Sequence, residues 1–395
     1  MKFLHTADWH LGAKTNGRDR LPEQKKVLDE ILSIATYENV DCVIIAGDVF
    51  NTASPSAEAE ELFFETIEKL SNGGDRFVFV LAGNHDDPTR LSAGLPLACK
   101  RNIALVGDLQ KLNEKSFKQS QNVNVVDAGK GYIKIKKNEE IATIAYLPYP
   151  SESRIKEKIE FGTKNESEMT YAEKVEKWAE IGASMFSEDA FNIFVSHLFM
   201  VGAKTKDGEV KVGDIMAVPV SSLPKADYTA LGHLHTPQEV ADGVFYSGSI
   251  CELAVNQKNL GVNVFESENG KLISMTQIKL QNTAKYEKVS AYSIEEAEEK
   301  LLSFDDTDIV ELELIQNMPL SASELKALRK KYSCVSNISL VRNFVESENT
   351  KTSKRKVLSD EDLFKQFYAS VRGFEASDEL VNMFTLCKGE NDEAN

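Results

Sequence analysis

The chain of 395 residues is poor in cysteine, histidine and tryptophan, and it has no excess of positive charge. Its five cysteines, Cys42, Cys99, Cys251, Cys334 and Cys387, are scattered, odd in number and form no C-x-x-C pair. That excludes a disulfide framework and a cysteine-based zinc site, and it fits a reducing, cytoplasmic compartment. No apolar run approaches the roughly 18 residues that a membrane-spanning helix needs. The N-terminus does not read as a signal peptide, because Met1-Lys2-Phe3-Leu4 leads straight to Asp8 and His10. Lysine and arginine number 46 against 62 acidic residues, a net charge of −16. Such a chain is not drawn to nucleic acid by bulk attraction. Contact with DNA would need a local patch, bound metal or a partner to supply positive potential.

Hydrophobic residues make up 42 % of the chain and charged residues 27 %, the balance of a globular protein. The length allows two or three domains. Residues 1 to about 90 read as strand–helix units. Lys2 to Ala7 is a short strand, and Pro22 to Tyr37 has apolar residues at helical spacing. Cys42-Val43-Ile44-Ile45 reads as a strand buried on both faces. Ser54 can cap a helix with Pro55 at its first position. Arg76 to Leu81 is the next strand. Strands alternating with helices imply a parallel sheet. Val123 to Val126, Tyr132 to Ile135 and Ile141 to Tyr146 add strands, and Glu166 to Phe186 reads as one long helix. Asn192 to Ser196, Asp227 to Leu231, Val244 to Tyr246 and Val262 to Phe265 follow, as a second layer of the same domain.

The character changes near Thr276. Alternating strands and helices to Val341 suggest a small α/β domain. Glu346 to Lys356 is a polar linker in which Lys351, Lys354, Arg355 and Lys356 form a basic cluster. A capping box at Ser359 opens a helix with the stripe Leu363, Phe364, Phe367 and Val371. A second short helix holds Leu380, Val381 and Phe384, and the tail is acidic. The expected boundaries are 1–275, 276–345 and 346–395.

There are only six histidines. Five of them stand beside glycine or carboxylates, or at a strand end: Asp8-Trp9-His10, Asn84-His85-Asp86, Ser196-His197 and Gly232-His233-Leu234-His235. Asp48 joins them in Ala46-Gly47-Asp48. Polar groups at strand ends of α/β folds face a crevice on a rigid base. Residues two apart on extended chain share a face, so Asp8 pairs with His10 and His233 with His235. Carboxylate, imidazole and amide donors without thiolates suit Mn²⁺, Fe²⁺ or Zn²⁺. The donors are too many for one ion; seven or eight suit two ions about 3.5–4 Å apart.

Asp8-x-His10, Gly47-Asp48, Gly83-Asn84-His85-Asp86, His197 and Gly232-His233-x-His235, in this order, resemble the five blocks of the calcineurin-like metallophosphoesterase superfamily. Within it the chain resembles the SbcD family of exonuclease subunits, from the bacterial double-strand-break repair nuclease. His5-Thr6-Ala7-Asp8-Trp9-His10-Leu11-Gly12, Ala46 to Ser56, Asp227 to His235 and Tyr246 to Ser249 carry that likeness, over roughly the first 265 residues.

The resemblance implies an α/β fold with a two-layered β-sheet core flanked by helices, a small α/β capping domain and C-terminal helices. It implies one metal on Asp8, His10, Asp48 and His235, and a second on Asp48, Asn84, His197 and His233. His85 is left off the metals as the catalytic residue, orienting the phosphate or protonating the leaving oxygen. Manganese is the foremost candidate for both ions. The implied activity is hydrolysis of DNA, exonucleolytic on duplex ends and endonucleolytic on single strands or hairpins, in repair and recombination. The implied partners are DNA, an SbcC-type coiled-coil ATPase and a second copy of this chain, within a heterotetramer and without a membrane. A phosphatase or phosphodiesterase of small substrates would use the same metals; a related nuclease subunit that partners a different large ATPase and a non-catalytic scaffold are the other two alternatives. Asn51 stands where some relatives place a histidine, and Ile250 where relatives often place proline.

Simpler roles compete for the neighbouring residues. His5 reads as a satisfied strand histidine. Asp86 hydrogen-bonds locally or supports His85, and Trp9 either packs or contacts substrate. The basic cluster is a solvated linker or a DNA contact. The stripe from Leu363 is core or an anchor laid into a partner's groove.

Overall fold

The structure is a computed structural model that describes residues 1–109, 112–151, 169–205, 216–255, 257, 259–315 and 321–341. Of the C-terminal segment it describes Phe364, Lys365, Tyr368, Leu380 and Val381, all helical. The chain divides into two compact units, Met1–Arg342 and Asn343–Asn395. The expected linker, its basic cluster, the acidic tail and the other residues of the two terminal helices lie outside the described residues.

Two sheets form the centre of the first unit. Six strands run in the order Lys271–Lys279, Gly261–Glu268, Lys2–Thr6, Cys42–Ala46, Phe77–Leu81 and Ile103–Val106. The last four of these are parallel to one another. Seven strands run in the order Gln238–Ala241, Val244–Tyr246, Tyr228–Gly232, Phe191–His197, Glu140–Leu147, Tyr132–Lys137 and Asn124–Gly129. Its four strands from Val244–Tyr246 to Glu140–Leu147 are parallel.

The apolar runs explain why the sheets stack. Along Phe77–Leu81 every residue is buried. Phe77, Phe79 and Leu81 face a core shared with Ile133, Ile144, Ile193 and Ala230 of the other sheet. Val78 and Val80 face the opposite way, toward Val27, Ile31, Phe63 and Ile67 of the helices Leu21–Tyr37 and Ala57–Leu70. On the far side, Val175 and Trp178 of the helix Tyr171–Ala183 pack on Ala145, Phe194 and Leu231. The architecture is therefore helix, sheet, sheet, helix. A strand whose successive side chains alternate between faces must be apolar throughout when both faces are covered.

Two helix starts differ from the sequence expectation. Ser56, not Ser54, accepts from Ala59 N–H and caps the helix Ala57–Leu70. The helix expected over Glu166–Phe186 spans Tyr171–Ala183, because Thr170 and Glu173 close a capping box there; residues 166–168 lie outside the described residues. Among the described residues, no helix is long and apolar enough to cross a membrane.

A third sheet follows, with parallel strands Tyr286–Ala291, Ile309–Ile315 and Val335–Val341. Ala297, Leu301 and Leu328 of the helices Ile294–Leu301 and Ala322–Lys331 cover Val310, Leu312 and Leu314 on one face. A two-stranded hairpin, Lys14–Thr15 with Arg18–Asp19, leaves the loop of Asp8 and His10 and reaches this sheet. Arg18 donates to the carbonyls of Asp306, Asp308 and Ser333, and Asn16 to Glu311 and Ser336.

Candidate metal centre

Five parallel strands, three from one sheet and two from the other, end at one edge. Each releases its polar residues there: Asp8 and His10 after Lys2–Thr6, Asp48 after Cys42–Ala46, and Asn84 with His85 after Phe77–Leu81. His197 ends the strand Phe191–His197, and His233 and His235 follow Tyr228–Gly232. All seven expected ligands and His85 are thereby brought together.

The backbone at this edge is strained. Asp8, His10, Asp48 and His233 have φ of 51°, 45°, 48° and 100°. Every other non-glycine residue with positive φ among the described residues is asparagine. Such conformations cost about 1–3 kcal/mol each and persist where surroundings over-determine them. Here the loops brace one another: Asp8 N–H donates to Gly47 carbonyl and His10 N–H to Asp48 carbonyl, both at 3.0 Å. Gly83 lies against Asp48, and a Cβ there would overlap the Asp48 carboxylate and backbone nitrogen. The glycine therefore makes room for the carboxylate.

The donor atoms gather in two groups. His10 Nε2 and His235 Nε2 are 3.2 Å apart, and Asp8 lies with them. Asn84 Oδ1 is 3.0 Å from His197 Nε2 and 2.9 Å from His233 Nδ1. Asp48 stands between, its Oδ2 3.6 Å from His10 Nε2 and 3.3 Å from His197 Nε2. Two imidazole nitrogens at hydrogen-bond distance, with carboxylates around them, are a donor set that fits divalent cations. The residues that could hold an ion include the groups Asp8–His10–His235, Asp8–Asp48–His197 and His10–Asp48–His85.

For three of the four histidines the electrostatics agree with that fit. Burial, with like charges nearby, drives His10 and His233 down to about 3 and His235 to about 4, so these rings are neutral, the form that ligates. Burial acts the same way on His197, but Asp48 and Asp8 outweigh it and raise that ring to about 9. Burial would raise Asp48, yet His197, His10 and His85 hold its carboxyl below the usual range, so it is ionised.

His85 differs from the rest in being exposed. Its backbone N–H donates to Asp48 Oδ1 at 2.8 Å, and its Nδ1 lies 2.9 Å from the Asn51 carbonyl. A carbonyl only accepts, so Nδ1 carries a proton and Nε2 is the end left for other work. The position of Asn51 thus contributes through its backbone, which any residue type supplies.

The surrounding residues fall into place. His5 is fully buried against the Tyr228 hydroxyl at 3.1 Å, and burial lowers it to about 3. Trp9 is packed, its Nε1 donating to Thr6 Oγ1 at 3.0 Å and its ring edge-on to Phe63. Asp86 does more than a local turn bond. Its buried carboxylate accepts from the N–H groups of Gly83, Val49 and Phe50 at 2.8, 3.1 and 2.9 Å, and so ties the loop of Asn84 to that of Asp48. Asp86→Asn would turn an NH₂ toward donors. It should cost about 1–3 kcal/mol of stability, read by denaturant unfolding in chelator; an unchanged midpoint would remove the clamp.

A family model for calcineurin-like phosphoesterases matches residues 1–237. The chain is 34 % identical to the SbcD subunit of the SbcCD nuclease of Bacillus subtilis strain 168, over 100 % of this chain and 99 % of that protein. It is 27 % identical to the SbcD subunit of the SbcCD nuclease of Staphylococcus epidermidis, over 94 % of this chain and 93 % of that one. Among solved structures, a dimetal phosphatase from Danio rerio aligns at 12 % identity over 71 % of this chain and 99 % of that chain, with a TM-score of 0.40. With the five strand-end blocks in one site and likeness along its full length, this chain belongs to the calcineurin-like phosphoesterase family, among the SbcD-type nuclease subunits.

Proposed function

We propose that the chain is the nuclease subunit of a complex with an SbcC-type coiled-coil ATPase, hydrolysing DNA phosphodiester bonds at a two-manganese centre. The observation that carries this is the convergence of seven nitrogen and oxygen donors into two groups that share Asp48. Asp8, His10, Asp48 and His235 would hold one ion, and Asp48, Asn84, His197 and His233 the other. Bound divalent ions supply charge to the phosphoryl oxygens and bring the ionisation of water toward neutral pH. The chain's own part is placement. Asp48 fixes both groups at one separation, and its second oxygen anchors the His85 backbone. Asn51 holds the His85 ring by Nδ1, which leaves Nε2 for the substrate. From there it orients a phosphate oxygen, or as imidazolium gives its Nε2 proton to the leaving oxygen.

DNA is the substrate class favoured by full-length likeness to the two nuclease subunits. The acidity of the chain fits a division of labour in which the ATPase offers most of the DNA surface. We place that partner's contact in the C-terminal segment with the apolar stripe from Leu363, and the chain itself as a homodimer within the heterotetramer. The test is an assay with Mn²⁺ on linear duplex DNA, hairpin DNA and a small phosphodiester. DNA is expected to be cut. Hydrolysis of the small ester alone would sink the nuclease reading. Truncation after Lys356 should end co-purification with the ATPase and leave metal content unchanged; retained co-purification would remove the docking role.

A further inference from the structure

We infer that Gln24 and Gln257 are positioning residues for the ion on Asp8, His10, Asp48 and His235, an inference that rests on the two-ion reading above. Gln24 lies on the helix Leu21–Tyr37 in line with the apolar residues Val27, Leu28, Ile31 and Ala35, and it is fully buried. A buried amide in an apolar stripe is costly unless its polar atoms are satisfied. Gln24 meets that demand wholly on the ligand loop. Its Nε2 donates to the carbonyls of Trp9 and His10 at 3.1 and 2.8 Å, and its Oε1 accepts from Gly12 N–H at 3.1 Å. Gln257, also fully buried, does the same on the other flank. Its Nε2 donates to the His235 carbonyl at 2.6 Å and to Ser249 Oγ at 2.8 Å, while its Oε1 accepts from Leu253 and Ala254.

The two amides therefore converge. Each grips the carbonyl of one histidine, and those two histidines present Nε2 atoms 3.2 Å apart. His10 sits in a left-handed conformation that no strand ladder holds, and His235 follows the end of its strand. The other group is held differently. His197 is the last residue of a strand, in register with Gly232 of the next, and its Nδ1 bonds to the Ala46 carbonyl at 2.9 Å. Removing a glutamine should thus loosen one ion and spare its neighbour. A strut that serves folding alone would lower stability and move neither affinity, or both alike.

The test is Mn²⁺ titration of the full chain by calorimetry, with electron paramagnetic resonance to tell a coupled ion pair from an isolated ion. The variants are Gln24→Glu and Gln257→Glu. Each keeps the size and an acceptor oxygen but loses both N–H donors. Wild type should take up two ions. Each variant should keep one ion at wild-type affinity and bind the other about 10–100-fold more weakly, the usual scale for supports of metal ligands. At limiting Mn²⁺ the coupled signal should give way to an isolated one. Two ions at wild-type affinity in both variants would overturn the inference, and so would equal weakening of both ions. If one variant does not fold in chelator, the other stands on a separate element and carries the same expectation. Wild type taking up fewer than two ions would overturn the two-ion reading itself, and this inference with it.

Discussion

Asp48→Asn is expected to empty both metal positions and to lower phosphodiester hydrolysis by about 10³-fold or more, since metal stabilisation of the transition state is worth several kcal/mol. Asp48 stands between the two donor groups. One oxygen takes the His85 N–H at 2.8 Å, and the other lies 3.6 Å from His10 and 3.3 Å from His197. It is buried and ionised, with imidazoles on two sides. Asparagine keeps its volume but removes the charge that the two ions would share, and it turns an NH₂ toward groups that need an acceptor. Folding should survive. The residue has a φ of 48°, a region asparagine enters more readily than most. Metal content after dialysis and turnover on duplex DNA would both be measured. Two ions retained at wild-type affinity would show that Asp48 does not bridge.

Much of this site is legible in the sequence because each expected ligand sits where a continuous apolar run stops. Cys42–Ala46 and Phe77–Leu81 are buried on both faces, so a polar cluster directly after them can only be an edge of the sheet. The second layer is legible for the same reason, since strands such as Asn192–Ser196 also end in a histidine. Strand order is not legible. Nothing local tells that Gly261–Glu268 pairs antiparallel with Lys2–Thr6 at the far end of the chain. The supporting residues are hidden by a related cause. Asp86 and Gln24 act on backbone groups, and a backbone N–H 36 residues away leaves no mark on residue type. Gln24 does leave one trace, an amide where the helical period calls for an apolar residue. Asp86 stands beside the expected ligands and reads as a local turn bond or a support for His85 until its three donors are seen.

His85→Ala and Asn84→Ala should fail in different ways although the residues are adjacent. Asn84 offers one oxygen, which lies 3.0 Å from His197 Nε2 and 2.9 Å from His233 Nδ1. Without it, that group loses its neutral ligand, while His10 and His235 on the other side keep theirs. Asn84→Ala should therefore bind one ion firmly and the other weakly. His85 offers no comparable convergence. Its ring is exposed, and Nδ1 is occupied by the Asn51 carbonyl. The contact it makes to Asp48 runs through its backbone N–H, which alanine retains. His85→Ala should hold both ions at wild-type affinity and lose about 10²–10⁴-fold in kcat, the range for a positioned acid or base. The rival role is that of a ligand, since His85 stands with His10 and Asp48 in a group able to hold an ion. Metal analysis separates the two. One ion missing from His85→Ala would make His85 a ligand. Two ions bound with full turnover would leave the exposed imidazole without a part in the chemistry.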